Sequence, residues 1–183
     1  MNRSILRVLA PAMAVVLAAP MVAAGGWDPE QEQKDMAAAE ETIKGFKAAE
    51  PGLDVYFKEA FGYAVFPTIG KAGLIIGGSH GDGLVFEDGK VVGSATVTQA
   101  SIGLQAGAES YSELVFFKDK ATFENFKSGD IKLSAQASAV AVGKGAAAKS
   151  SYTEGVAVFV KTKGGLMADA SVGGQKFKFE PKK

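Results

Sequence analysis

The stretch "GLVFEDGKVVGSATVT", residues 83–98, sets two alternating apolar runs on either side of the dipeptide Asp88-Gly89. A two-residue type I′ turn needs positive φ at both central positions, and Asp-Gly supplies it, so this stretch reads as an antiparallel hairpin. Outward from it the texture stays β. Upstream lie "YAVFPTI" and "AGLIIGG"; downstream lie "ASIGLQAGAE" and "YSELVFF", all apolar or β-branched runs punctuated by glycine. Gly173-Gly174, between "LMADASV" and "QKFKFE", marks a second two-residue turn. One short helix interrupts the strands at "KDKATFENFKSGD", with Asp119 as its N-cap and Gly129 as its stop. The segment "IKLSAQASAVAV" then alternates with period two. It places Ile131, Leu133 and four alanines on one face, small enough to let a helix or sheet approach closely or to fill a tight barrel.

Upstream of residue 62 the period changes. Met36, Ala39, Ile43 and Phe46 recur at spacings of three and four, which predicts a helix over 29–49 with acids crowding its first turns. Pro51 suits the first turn of a second helix with the apolar face Leu53, Tyr56, Phe57, Ala60 and Phe61. Both stripes read as core-facing, and the acids of the first helix argue against a membrane-surface helix, which is normally basic. The fold class is α+β: N-terminal helices (28–61) packed on a twisted antiparallel β-sheet (mainly β over 62–180), open or closed into a barrel, with one short inserted helix.

The first 24 residues read as a Sec-type signal peptide. Arg3 and Arg7 make a basic start, "VLAPAMAVVLAAP" is apolar but short for a bilayer span, and "VAA" precedes Gly25. No cysteine follows, so a lipoprotein is excluded. Residues 25–183 read as a single domain of 159 residues, enough to bury a core without disulfides. Both arginines of the chain lie in the leader, which leaves 18 lysines against 20 acids. Residues 25–60 hold nine acids and four lysines, whereas 118–183 hold twelve lysines and six acids. That asymmetry fits internal complementarity or a basic face toward an anionic partner. Without arginine for bidentate base contacts, the composition argues against specific nucleic-acid reading.

Chemistry is sparse. The one histidine, His80, lies in "KAGLIIGGSHGDG", residues 71–83, which reads as strand, glycine bend and next strand. It lacks the strand–elbow–helix context of a nucleophile, and His80 with Asp82 gives two of the three or four ligands zinc needs. The P-loop spacing is absent, because Gly70-Lys71 is followed by Ala72 and no helix follows. No catalytic residue, metal site or cofactor is expected.

More specific is the order of the motifs. Lys71-Ala72-Gly73, then Gly77, Gly78, Gly81 and Gly83, then Ser101, Gly103, Gln105, Gly107 and Ala108 resemble the signature of the SYLF domain family, lipid-binding modules related to the yeast actin-patch-associated domain. "SGDIKLSAQASAVAVGKGAAA" and "VKTKGGLMA" are similar to its small-residue strand and its Ser-Lys-Gly-Leu segment, and the likeness covers about 45–180. Ala60-Phe61-Gly62 stands where the family often has Ala-Lys-Gly. The resemblance implies a non-enzymatic lipid-binding module, here exported, periplasmic or secreted, and peripherally membrane-associated. It points to Lys71, Lys144, Lys149, Lys161 and Lys163, in or near the matched motifs, as contacts to anionic phospholipid headgroups. The alternative is an envelope protein-interaction or assembly element. An outer-membrane barrel is disfavoured by the Ala/Ser-rich long strand and the two preceding helices.

Overall fold

The computed structural model describes residues 29–73, 76–102, 108–129, 140–143, 145, 147, 150–162 and 174–182. Helix α1 (Pro29–Ala49) leads through a single 3-10 turn (Pro51–Leu53) into the short helix α2 (Asp54–Glu59). Seven strands follow: β1 (Gly62–Gly73), β2 (Ile76–Glu87), β3 (Lys90–Ile102), β4 (Ala108–Phe117), β5 (Val140–Ala141), β6 (Val156–Thr162) and β7 (Lys176–Pro181). Helix α3 (Lys120–Lys127) sits between β4 and β5. The strands form one sheet in the order β5-β6-β4-β1-β2-β3-β7. Every pair is antiparallel except β5 with β6. Among the described residues this sheet is open, with β5 and β7 at its two edges, so of the two alternatives the structure has the unclosed one.

The expected turn and caps are in place. Asp88 and Gly89 have φ of 50° and 74°, and Glu87 pairs with Lys90 across them. Asp119 is extended at φ −142° and its carboxylate accepts the Thr122 backbone N–H, while Gly129 has φ 79° just past Lys127. Gly174 is also at positive φ, 79°. The predicted strand 131–142 lies outside the described residues apart from its end, and so do Gly173 and residues 103–107 of "ASIGLQAGAE".

One expectation is corrected. The glycine run of residues 77–83 is no bend: it continues β2, with Gly77 opposite Gly73 and Gly81 opposite Ile69. The described β1–β2 ladder already includes Gly73 opposite Gly77 and Ala72 opposite Gly78. Glycine is needed in the strand because β1 bulges beside it. Phe66 and Pro67 together oppose the single residue Gly83 on one side, and Pro67 and Thr68 oppose Ser112 on the other. Proline lacks a backbone donor and is tolerated within a sheet at such a bulge. The Ser112 hydroxyl donates to the Pro67 carbonyl at 2.8 Å. A Cβ on Gly83 would lie 2.3 Å from the Val65 carbonyl oxygen, and one on Gly81 2.6 Å from that of Thr68. At these places any side chain on β2 would force the β1 backbone to shift.

The sheet has a core on each face. On one, Ala39 and Phe46 of α1 and Leu53 and Tyr56 beyond it pack on Val65, Leu84, Leu114, Phe116 and Phe159. Tyr56 makes an edge contact with Phe159 at 4.9 Å, and its hydroxyl donates to the Ser150 carbonyl at 2.9 Å. On the other, Ala64, Phe66, Val85, Val97, Val115 and Val158 pack with Phe123 and Phe126 of α3 and with Phe177 of the edge strand β7. Phe177 meets both Phe66, on a strand three places away in the sheet, and Phe126. The sheet therefore curls toward this second core.

Candidate functional site

A groove of about 670 Å³ runs between the second half of α1 and the bulged part of the sheet. Its walls carry Thr42, Lys44 and Gly45 from α1, Pro67 from the bulge, Ser112 from β4 and Lys161 from β6. Apolar floor and hydroxyl or ammonium donors thus meet in one concavity, with Glu41 as the acid on its lining. Lys161 is half-buried, and its ammonium donates to the Gly45 carbonyl oxygen at 3.2 Å. A Cβ on Gly45 would stand 3.1 Å from that nitrogen. Glycine within a helix costs about 1 kcal/mol against alanine, and at this position its bareness is what lets the lysine head reach the helix backbone. Among the described residues no carboxylate pairs with Lys161.

The other lysines that the sequence singles out are not brought to this groove by anything the structure describes. The Lys71 backbone lies in β1 opposite Ser79 and Glu109. Lys144, Lys149 and Lys163 lie outside the described residues. Lys44 is an exposed groove residue that the sequence does not single out. His80 is on β2 rather than at a turn, 3.7 Å from Asp82, with its side chain 65% exposed. No group of three or more potential metal ligands exists among the described residues.

The opposite face holds an unusual carboxyl. Glu113 is 0% exposed, on β4 between Phe66 of β1 and Val160 of β6. The side-chain amide of Gln175, also 0% exposed, donates to Glu113 Oε2 at 2.9 Å and to the Tyr111 hydroxyl at 3.4 Å. Burial pushes the Glu113 carboxyl up to about 8, against the lowering effect of the Gln175 hydrogen bond. Burial likewise raises the Tyr111 phenol to about 12, helped by the neighbouring Glu113. Glu113 is not among the residues the sequence singles out. The available signal is its parity: it shares the alternating face of Tyr111, Val115 and Phe117.

The fold and this groove define an α+β protein built on a curled sheet, with lysines at the mouth of an amphiphilic concavity. Residues 98–182 match the family model Ysc84, described as Las17-binding protein actin regulator. Beta cell expansion factor A of Aeromonas veronii is 27% identical over 131 residues, 70% of this chain and 49% of that protein, so the chain spans about half the length of this curated relative. The matched segment runs from within β3 to just past the end of β7, a likeness to the Ysc84 family over a little less than half of the chain. Ser112 and Lys161 of the groove fall within the matched segment; α1 and the bulge precede it.

Proposed function

We propose that this chain is a non-enzymatic module of the cell envelope that holds the anionic headgroup of a phospholipid, with the groove between α1 and the bulge as the seat. The observation that carries the reading is the Lys161 ammonium, half-buried in an amphiphilic groove and bonded only to a neutral carbonyl among the described residues. A phosphate there gains a charge-assisted hydrogen bond, the adjacent hydroxyls offer further donors, and the apolar floor accepts the glycerol end. Lys44 adds long-range attraction worth about 1 kcal/mol near an anionic surface, less as salt rises. Lys71, Lys144, Lys149 and Lys163 are further headgroup contacts in this reading. No described helix is long and apolar enough to cross a membrane, and peripheral attachment after export is the mode proposed.

Co-sedimentation with vesicles tests it. Vesicles containing phosphatidylglycerol should retain the protein, pure phosphatidylcholine vesicles should not, and Lys44→Gln with Lys161→Gln should remove most of the difference. Equal retention on both vesicles, or on neither, refutes the proposal. A second reading, an envelope protein-interaction element, draws on the protein-binding description of the matched family. Strictly monomeric protein with no captured partner but clear lipid retention counts against it.

A further inference from the structure

Gln175 immediately precedes the last described strand, β7, and Glu113 lies on β4 near the middle of the sheet; β1, β2 and β3 separate β4 from β7 in the sheet order. The hydrogen bond between them therefore crosses the concave face rather than the ladder. It leaves two buried oxygens without a donor among the described residues, Glu113 Oε1 and Gln175 Oε1. Two unsatisfied acceptors in one apolar core are costly when both are bare oxygens. They are complementary if one of them carries a hydrogen. A carboxylic acid and a primary amide pair in this way, amide N–H to one acid oxygen and acid O–H to the amide oxygen, and the first half of that pairing is present at 2.9 Å.

We propose that Glu113 and Gln175 form a neutral acid–amide clasp that fastens the C-terminal strand β7 across the concave face of the sheet, and that removing the clasp's one proton unfastens it. Ionised, Glu113 has no hydrogen to offer Gln175 Oε1, and a bare charge is left between Phe66 and Val160. The groups facing it are few. Tyr111 is the titratable neighbour on its own strand, and Ser79 of β2 reaches Tyr111. β1 and β6 present Phe66 and Val160 at its register, and β7 presents Phe177 to the same core. No charged side chain among the described residues acts on the carboxyl. β7 is suited to respond, because its described ladder partner is β3 alone.

The sign follows from linkage. The folded-state pKa of Glu113 is raised, so its contribution is fully present below the ordinary glutamate pKa and is lost as pH rises through about 8. In that window the folded chain holds one proton that the unfolded chain does not, and the folding constant should fall by up to about tenfold per pH unit from this group. Glu113→Gln supplies a permanent N–H donor in place of the acid O–H and cannot ionise. Urea midpoints of the full chain from pH 5 to 9.5 should therefore decline more steeply for the wild type than for Glu113→Gln. Exchange of the amides at 176–180, each pH compared between the two proteins, should accelerate in the wild type alone above pH 8. Identical pH profiles overturn the clasp. Should Glu113→Gln not fold, carbon-13 NMR of the wild-type Glu113 carboxyl decides: a protonated signal at pH 7 supports the proposal, and an ionised one refutes it.

Discussion

Replacing Gly83 with alanine puts a methyl group 2.3 Å from the Val65 carbonyl oxygen and 2.7 Å from Cδ1 of Phe66. Ordinary contacts between carbon atoms begin near ~3.5 Å, so β1 and β2 must separate by about 1 Å at the bulge or Phe66 must leave its rotamer. The Val65 neighbour is backbone and Phe66 is fully buried, so neither yields easily. Overpacking of this kind costs about 1–3 kcal/mol, and the lower chain entropy of alanine in the unfolded state offsets about 0.4–1 kcal/mol of it. The net is a loss of roughly 1–2 kcal/mol, or a Tm lower by about 2–8 °C for a chain of this size. Gly70 in β1 is the internal control. Nothing lies within 4 Å of its virtual Cβ, so Gly70→Ala should raise Tm by about 1–4 °C from the entropy effect alone. Thermal unfolding followed by circular dichroism measures both. If Gly83→Ala is as stable as Gly70→Ala, the close approach at the bulge is not what keeps Gly83 a glycine.

Gly45→Ala should raise stability by up to about 1 kcal/mol through helix propensity, yet weaken retention on anionic vesicles, because its methyl displaces the Lys161 head from the Gly45 carbonyl; unchanged retention would detach the groove from lipid binding. Tyr56→Phe removes the donor that reaches the Ser150 carbonyl at 2.9 Å and the Ala147 carbonyl at 3.4 Å, and should cost about 1 kcal/mol, read as a Tm lower by about 2–4 °C. Asp119→Ala should lower Tm by a few degrees through loss of the α3 cap. The Thr122 backbone N–H holds the Asp119 carboxyl below its ordinary value. The wild-type advantage is therefore complete above that ordinary value and disappears as pH falls through the lowered one; an advantage that persists in strong acid would show the cap is not the cause.

Much of the secondary structure was legible because its causes are local. The α1 stripe of Met36, Ala39, Ile43 and Phe46, the Asp119 cap and the Asp88-Gly89 turn each depend on residues within a few positions of one another, and each stands where the sequence puts it. The "GGSHGDG" run misleads for the complementary reason. Glycine signals either a turn or a close approach, and its own neighbours in sequence cannot say which. The answer lies in Pro67, fourteen residues before Gly81, whose bulge crowds β2 only once the strands are paired. Lys161 is visible as a lysine in a matched motif. That its ammonium meets the Gly45 backbone, 116 residues away, is not.

By itself the sequence determined the α+β class, the order of its elements, the caps and turns, and the likeness to the SYLF family, because periodicity, φ preference and ordered motifs are written in adjacent residues. The tertiary structure alone decided that the described sheet stays open, that the glycines of β2 face a bulge, and that Lys161 lines a groove against α1. It also decided that Glu113 meets Gln175 inside the second core. These depend on how far the sheet curls, which is set by long-range packing such as Phe177 on Phe66 and Phe126 rather than by any local pattern.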